Sequence, residues 1–311
     1  MEEQYKSRSI DFWNNHADKW EGMVYDKYKK YLRFPTSGQR EEIAIREVKS
    51  KVNNSASIID IGCANGELIR SLFSEGYENV TGLDNAKNMI SLSRETMLKQ
   101  NPLADVEKIF IHGDIDTLEV ELKYDVVTAL GIVEYALDAN DFFRQMRKIM
   151  NKSGTLILES RNKLFNVYSG NKYTVEADLT SLMKGLESSR NLSPINDDKE
   201  VSDLIADTFV KIGNELKDIK IGEDSKGFKQ SKDKFPHPLP QYTPMEISEY
   251  CNNNNLVLKN IIYYHPHPFP PGFESSYAEI FNRIAVNMQP LGYTPVGASI
   301  CSSFVAIIEA A

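Results

Sequence analysis

The sequence predicts an α/β fold with a doubly wound, mostly parallel sheet. Two observations predict it. Short apolar runs alternate with amphipathic helical stretches between residues 57 and 160, and a turn containing two glycines joins the first run to the first helix. Strands that alternate with helices in this way pair in parallel, because each connection crosses a face of the sheet.

The predicted elements follow one another in a regular order. The first strand is SIID (57–60), and the helix GELIRSLFSEG follows it and ends at Gly76. NVTGLD, KIFIHGD, YDVVTALG and GTLILES have the apolar, β-prone composition of four further strands. Helices are predicted between them over AKNMISLSRETMLKQ and ANDFFRQMRKIMN. The runs NLVLKNIIYY and SSFVAIIEA predict two more strands near the end of the chain.

The spacing of these elements predicts four segments. Residues 1–54 form an N-terminal helical arm, 55–160 form the ligand-binding core, and 244–311 return to the core with the closing strands. The interval from Arg161 to Tyr242 is far longer than an ordinary α/β connection. We therefore expect 161–243 to be an inserted helical lid over the ligand-binding face, and the N-terminal arm to be a second lid.

Composition and charge exclude several classes of protein. Hydrophobic residues make up 41% of the 311 residues and charged residues 26%, as in folded globular proteins. The net charge of −8 argues against nucleic acid or an anionic membrane as partner. The acidic N-terminus does not resemble a signal peptide, and no apolar run is long enough to span a membrane, so we expect a cytoplasmic protein. The three cysteines, Cys63, Cys251 and Cys301, suit reduced thiols.

The stretch SIIDIGCANGEL (57–68) contains the first candidate site. In a doubly wound sheet the ligand lies beyond the carboxyl ends of the strands, which places Asp60 to Gly66 beside it. Glycine suits a sharp turn from strand to helix, because it adopts backbone angles that other residues avoid. The helix that begins at Gly66 offers free N–H groups to an anionic part of the ligand.

The letters of this turn argue against a phosphate ligand. A dinucleotide-binding turn has the pattern G-x-G-x-x-G, and here Ala64 and Glu67 replace its second and third glycines. A phosphate-binding P-loop requires a lysine that is absent. A ligand with one carboxylate and a positive centre is compatible with Asp60 and Glu67 nearby. S-adenosylmethionine is such a ligand.

The same stretch, IIDIGCANGEL, resembles the first motif of the class I S-adenosylmethionine-dependent methyltransferases, D-x-G-x-x-x-G. VTGLD (80–84), IHGDI (111–115) and YDVVTALGIVEYALD (124–138) resemble the later segments of that family in the same order. The last two strands resemble its closing antiparallel hairpin. The stretch ESRNKLFNVYSGNKYT (159–174) is similar to methyltransferases of bacterial sugar and natural-product pathways.

The resemblance implies roles for particular residues. Asp84 would accept hydrogen bonds from both ribose hydroxyls, Asp114 would accept one from the adenine amine, and Ile115 would pack on the ring. Asp60 would face the methionine amino group. The cofactor site implied by the family comprises Asp60, Gly62, Cys63, Ala64, Gly66, Asp84, Asn85, Met89, Gly113, Asp114, Ile115, Leu130, Gly131 and, from the N-terminal arm, Trp20.

Each of these residues also has a structural interpretation. Asp84 is a good N-cap for the next helix, Asp114 is an ordinary turn residue, and Cys63 fits as a small side chain at a crowded turn. The spacing of 22 residues between the glycine turn and Asp84 favours the ribose role.

Two stretches of the sequence are candidates for a metal site. One subgroup of these methyltransferases, which acts on quinone precursors, has the pattern E-x-x-E-H after the fourth strand; here residues 131–135 keep only Glu134. His265 and His267, in a proline-rich stretch, would face the same way in an extended chain, where general-base work or a plain pocket wall are the alternatives. We expect no metal.

The expected reaction is methyl transfer from S-adenosylmethionine to an oxygen or nitrogen of a small polar metabolite, such as a nucleotide-linked sugar or a natural-product intermediate. A hydroxyl acceptor needs a base, and the candidates are Tyr135, His265, His267 and His16, with Tyr135 first. Two other classes stay open at this point: a non-catalytic S-adenosylmethionine-binding module and a nicotinamide-dependent oxidoreductase, against which Ala64 and Glu67 argue.

Overall fold

A computed structural model describes residues 2–19, 36–115, 122–166, 179–216, 239–269 and 278–311. Within them the strands are β1 (Ile58–Ile61), β2 (Val80–Asp84), β3 (Phe110–His112), β4 (Tyr124–Leu130), β5 (Met150–Arg161), β6 (Leu256–Pro266) and β7 (Cys301–Ala310). The helices are α1 (Glu2–His16), α2 (Thr36–Lys51), α3 (Glu67–Ser74), α4 (Lys87–Gln100), α5 (Val106–Ile109), α6 (Ala139–Ile149), α7 (Leu179–Leu192), α8 (Asp198–Leu216), α9 (Pro244–Asn253), α10 (Ala278–Met288) and α11 (Gly297–Ile300).

The described strands form one seven-stranded sheet in the order β3-β2-β1-β4-β5-β7-β6. The first five strands pair in parallel, while β7 is antiparallel to both β5 and β6. The strand order reverses between β1 and β4, where Ile58 pairs with Val80 on one side and with Val126 on the other. This reversal is the point where open α/β sheets bind ligands. The predicted fold class is confirmed.

Three elements differ in detail from the prediction. β3 begins only at Phe110, because residues 106–109 form a single helical turn in which the Lys108 amide donates a hydrogen bond to the Asp105 side chain. β5 begins at Met150, four residues before the predicted start at Gly154. β6 and β7 pair antiparallel as expected, but the connection between them includes helices α10 and α11 instead of a tight turn.

Apolar side chains of the sheet pack on both of its faces. Ile59 and Val127 join one buried cluster with Phe143 of α6, while their neighbours Ile58 and Val126 join a second cluster with α2, α3 and α4. Successive side chains of a strand point to opposite faces, so a strand covered on both faces has a continuous apolar sequence. This burial explains why SIID and YDVVTAL lack alternating polar residues.

The segments outside the core pack around this sheet. Asn14 of α1 accepts a hydrogen bond from the amide of Asn88 at 2.9 Å and so ties the N-terminal arm to α4. Helices α7 and α8 of the insertion pack against α9, α10 and β6. In the part of the chain that the structure describes, no helix combines the length and apolarity needed to cross a membrane.

Candidate functional site

A cavity of about 750 Å³ opens at the carboxyl ends of β1, β2 and β4. Its volume lies within the range of small-molecule sites. Ten of the fourteen residues predicted to bind the cofactor line it: Gly62, Ala64, Asp84, Asn85, Met89, Gly113, Asp114, Ile115, Leu130 and Gly131. Sequence motifs that are far apart in the chain are therefore brought together at the point where the strand order reverses.

The turn after β1 needs both of its glycines. Gly62 and Gly66 have φ values of 71° and 77°, in the left-handed region that glycine adopts readily. A Cβ at Gly62 would lie 2.5 Å from Cγ1 of Ile132, and one at Gly66 would lie 2.5 Å from Cε1 of Phe110. The first glycine thus makes room for the loop after β4, and the second brings the start of α3 against β3.

Asp84 connects the end of β2 to this turn. Its Oδ2 accepts a hydrogen bond from the amide of Ala64 at 2.9 Å, and its Oδ1 accepts one from the amide of Ala86 at 2.7 Å. The N-cap residue of α4 is Ala86, so Asp84 is not itself the cap. Burial raises the pKa of the Asp84 carboxyl, and the two amides partly oppose this effect. Each oxygen has a second lone pair available to a ligand hydroxyl.

Asn85, Asp114 and their neighbours form the next part of the wall. Nδ2 of Asn85 donates a hydrogen bond to Asp114 Oδ2 at 3.2 Å, and the amide of Gly113 donates to the carbonyl of Asp84 at 3.0 Å. Ile115 lines the cavity beside them with Met89. Polar acceptors next to apolar side chains suit a flat heteroaromatic ring with an exocyclic amine.

Asp60 lies on a small side cavity next to the main one, whose walls include Arg40, Cys63, Asn65 and Leu68. The Asp60 carboxyl is buried and accepts a hydrogen bond from Thr128 Oγ1 at 2.7 Å. Burial raises the pKa of Asp60 to about 7, although the Thr128 hydroxyl lowers it. A buried carboxyl of this kind is stabilised as an anion when a cation binds beside it.

Two predicted cofactor residues shape the site without lining the main cavity. Gly66 allows the close approach of α3 to β3, and Cys63 lies beneath Gly82, where a Cβ would be 2.8 Å from the Cys63 sulfur. Burial raises the pKa of the Cys63 thiol, which agrees with its interpretation as a small buried side chain. Trp20 lies outside the described residues.

Of the predicted catalytic residues, the structure brings only Tyr135 to the cavity, where its ring lies 6.3 Å from that of Trp13. His16 stacks on Phe12 at 4.1 Å, and its Nδ1 lies 2.7 Å from the Phe12 carbonyl oxygen. His16 therefore contacts a residue one turn earlier in its own helix, α1. His16 does not line the cavity.

His265 and His267 do not line the cavity either. His265 has a φ of 58°, so the chain is not extended there, and its Nδ1 lies 2.8 Å from Ser302 Oγ. His267 packs between Phe165 and Phe281, with ring centroids at 4.7 and 5.3 Å. Burial lowers the pKa of His265 to about 4 and, together with His265, that of His267 to about 2. This correction removes both from the candidate site.

The cavity also contains a cluster that the sequence did not indicate. Arg40 of α2, Glu134 after β4, Glu159 and Arg161 of β5, and Tyr264 of β6 all line it. Glu159 Oε1 accepts a hydrogen bond from the Tyr264 hydroxyl at 2.8 Å, and its Oε2 lies 3.5 Å from Arg40 Nη1. Glu134 was noted only as the remainder of a metal motif, and no local pattern connects it with Arg40 or Tyr264.

The described side chains do not form a metal site: in these ranges no three His, Cys, Asp or Glu residues cluster closely enough to hold a metal ion. Glu134, the one residue kept from the metal-binding pattern, accepts a hydrogen bond from the Arg161 amide at 2.9 Å.

Comparisons with known families and proteins agree with this geometry. A family model described as a methyltransferase domain matches residues 53–208, which is half of the chain. The match begins just before β1 and extends through β5 into α8, so it includes the glycine turn, Asp84 and the loop after β4.

Curated relatives are similar over a comparable part of the chain. A mitochondrial ubiquinone biosynthesis O-methyltransferase of Dictyostelium discoideum is 25% identical over 176 residues, covering 51% of this chain and 54% of that protein. A ubiquinone biosynthesis O-methyltransferase of Rickettsia typhi is 26% identical over 197 residues, covering 62% of this chain and 76% of that protein. The match thus spans about half the length of the first relative and three quarters of the second.

Solved structures share the fold across nearly the whole chain. Magnesium protoporphyrin IX methyltransferase from Synechocystis PCC 6803, with bound S-adenosylhomocysteine, has a TM-score of 0.54 at 13% identity and covers 99% of this chain and 100% of its own. A putative methyltransferase in complex with the Haloferax volcanii Trm112 activator has a TM-score of 0.52 at 14% identity, covering 96% and 97%. At these identities the likeness concerns the fold.

Proposed function

The chain belongs to the methyltransferase domain family, and we propose that it transfers a methyl group from S-adenosylmethionine to a hydroxyl oxygen of a small molecule. The observation that carries the proposal is the convergence of the Gly62 turn, Asp84 and Asp114 on one cavity at the strand-order reversal, with Asp60 on the adjoining side cavity. These groups complement an amine, a ribose and an adenine in the order in which that cofactor presents them.

The residues present fit this cofactor. Asp84, with a free lone pair on each oxygen, would hold the two ribose hydroxyls, and Asp114 with Ile115 would hold the adenine. Asp60 is a buried carboxyl whose raised pKa favours a cationic ligand, and it would hold the methionine ammonium group. Arg40 lines both the side cavity and the main one and is suited to the methionine carboxylate.

The acceptor would occupy the remaining part of the cavity. Its walls combine apolar side chains with two arginines and several acids, among them Tyr135, Leu137, Phe142, Leu239, Arg161 and Glu134. The names of the curated relatives, which are O-methyltransferases, favour oxygen over nitrogen as the methyl acceptor. A nucleotide-linked sugar or a natural-product intermediate stays our proposal for the acceptor, on the resemblance of residues 159–174.

Leu239 and Arg161 lie at the two ends of the segment proposed as a substrate lid, and both line the cavity. The described residues of α7 and α8 do not line it. Both ends of the segment, next to β5 and α9, would therefore contribute to the cover over the substrate.

The test is methyl transfer from S-adenosylmethionine carrying a labelled methyl group. Catechol, UDP-glucose and dTDP-glucose serve as probe acceptors, and both labelled product and S-adenosylhomocysteine are measured by mass spectrometry. We expect S-adenosylhomocysteine to accumulate with one class of hydroxyl probe above the rate without acceptor. Cofactor binding without transfer to any hydroxyl probe, together with transfer to an amine probe such as benzylamine, would contradict the oxygen assignment.

A further inference from the structure

Two acidic residues in the wall of the cavity are buried. Glu134 lies in the short helical turn after β4 and is 3% exposed, and Glu159 lies near the end of β5 and is 4% exposed. Both side chains line the same cavity. Acidic side chains are almost never this deeply buried unless they are paired or functional.

The two carboxyl groups differ in their partners. Glu159 accepts a hydrogen bond from the Tyr264 hydroxyl at 2.8 Å and lies 3.5 Å from the Arg40 guanidinium. Gly131, with a φ of 75°, leaves room for this pair, since a Cβ there would lie 2.8 Å from Arg40 Nη1 and 3.0 Å from Glu159 Oε2. The Glu159 carboxyl group therefore has both a hydroxyl donor and a guanidinium beside it.

The buried carboxyl of Glu134 has weaker hydrogen-bonding and charged partners than that of Glu159. The hydrogen bond to its Oε1 comes from a neutral backbone amide, that of Arg161, at 2.9 Å. The charged and titratable groups facing it are Glu159 and Arg161 on β5 and Arg40 on α2, with Tyr264 of β6 behind Glu159. Burial, and secondly the negative charge of Glu159, raise the pKa of Glu134 to about 8, while Arg161 and Arg40 lower it.

We propose that Glu134 is a catalytic residue that accepts the proton of the acceptor hydroxyl, and that Glu159, held by Tyr264 and Arg40, is a positioning residue that tunes it. This inference rests on the proposed function. It replaces Tyr135 as first candidate for the base: a phenol is a poor base in its neutral form, whereas a carboxylate with a raised pKa accepts a proton near neutral pH.

The step is balanced in atoms and charge. The bound cofactor supplies a methyl group on a positively charged sulfur, which keeps the electron pair of the broken carbon–sulfur bond. As the acceptor oxygen forms its bond to the methyl carbon, Glu134 takes the hydroxyl proton and later releases it to solvent. One positive and one negative charge disappear together, which suits a buried site with little water.

The first test does not need the acceptor. The infrared band of the protonated carboxyl group is followed against pH in the full chain, with Glu134→Gln to identify the band and Glu95→Gln, on the exposed side of α4, as matched control. We expect a carboxyl that titrates near pH 8 in the wild type and in the control but is missing in Glu134→Gln. With Glu159→Gln the midpoint should fall by about one pH unit, since a negative charge is removed.

The cofactor and its product place Glu134 relative to the reacting sulfur. S-adenosylmethionine carries a positive sulfur and S-adenosylhomocysteine a neutral one. If Glu134 lies beside that sulfur, its midpoint is lower by about one pH unit in the first complex than in the second. Equal Glu134 midpoints in the two complexes, or no band titrating above about pH 6.5 that Glu134→Gln removes, would overturn the assignment.

The second test measures single-turnover methyl transfer to catechol against pH. The wild-type rate should rise with pH through the Glu134 midpoint, and Glu134→Gln should be slower by about 100-fold or more and lose that dependence. The circular dichroism spectrum of Glu134→Gln should match that of the wild type, which shows that the variant is folded. Wild-type rate and midpoint in this variant would contradict the role of Glu134.

The two proposals fail in different ways. If the wild type does not bind S-adenosylmethionine, the proposed function fails. If it binds the cofactor while Glu134 shows neither a raised midpoint nor sensitivity to the sulfur charge, only the assignment of Glu134 fails, and the infrared titration gives this answer whether or not catechol is methylated.

Discussion

The side chain of Ile132 fills the space where a Cβ of residue 62 would lie. An ideal Cβ at Gly62 would be 2.5 Å from Ile132 Cγ1, and Gly62 has a φ of 71°. The turn after β1 and the loop after β4 are therefore packed directly on each other. Because the two loops form adjoining walls of the cavity, a substitution at Gly62 or at Ile132 should shift both loops.

Gly62→Ala should destabilise the protein by about 2–4 kcal/mol, since it adds a clash with Ile132 to an unfavourable backbone angle. The free energy of unfolding in urea measures this effect. Removing the clash in the double variant Gly62→Ala/Ile132→Ala should recover part of the loss relative to Ile132→Ala alone, while the backbone part remains. A Gly62→Ala protein as stable as the wild type would show that the turn is not constrained as described.

Asp60 should make stability depend on pH in an unusual direction. Burial raises the pKa of its folded carboxyl to about 7, above its value in the unfolded chain, so the folded state binds more protons between these values. Its contribution is present at low pH and is lost as pH rises through about 7. Asp60→Asn keeps an acceptor for Thr128 but cannot ionise, so between pH 5 and 8 its stability should rise relative to the wild type by about 3 kcal/mol. A pH-independent difference in urea unfolding would contradict this.

Arg40 should be coupled to Glu159. Arg40→Met leaves the buried Glu159 carboxylate without its cation and should cost about 2–3 kcal/mol in free energy of unfolding. Glu159→Gln in the same chain should recover most of this loss, because no buried charge then lacks a cation. A double-mutant cycle measures the coupling, and strictly additive effects of the two substitutions would rule out the interaction.

His265 should change the pH dependence of the free energy of unfolding in the direction opposite to Asp60. Its folded pKa is lowered to about 4 by burial, so the imidazole is neutral in the folded state and gains a proton more readily in the unfolded chain. The contribution of His265 to the free energy of unfolding is present above about pH 6.5 and is lost as the pH falls toward 4. Between pH 7 and 5 the expected loss is about 2 kcal/mol.

The variant that tests it is His265→Asn, since asparagine tolerates the positive φ at this position. It should lose less stability than the wild type over that pH range, whereas the control His112→Asn, at an exposed histidine, should behave as the wild type does. Because His265 lies outside the cavity, S-adenosylmethionine affinity should stay within twofold. A large loss of cofactor affinity would return His265 to the site.

The parts of the site that the sequence predicted are those with a local pattern. The turn from Asp60 to Gly66 shows its geometry in its glycines, and Asp84 follows an apolar strand at the expected distance. Strand ends in a parallel sheet meet at one edge, so these local signals were enough to predict that these residues lie around one cavity.

The parts that it did not predict depend on contacts between distant segments. Arg40, Glu159 and Tyr264 come from α2, β5 and β6, and no periodicity indicates that they meet. The two histidines were expected to face the same way in an extended chain, but His265 has a left-handed backbone conformation and neither histidine lines the cavity. Long-range packing decides both cases.

The measurement that tests the central claim most directly is calorimetric titration with S-adenosylmethionine, S-adenosylhomocysteine and NAD. It is carried out on the wild type, on Asp84→Ala and on the control Asp105→Ala, an exposed helix cap away from the cavity. We expect both adenosyl ligands to bind the wild type and the control, NAD not to bind, and Asp84→Ala to bind at least about tenfold more weakly, as the loss of two hydrogen bonds to a charged group requires. Absence of binding of either adenosyl ligand at millimolar concentration, or equal affinity in Asp84→Ala, would contradict the account of this cavity as a cofactor site.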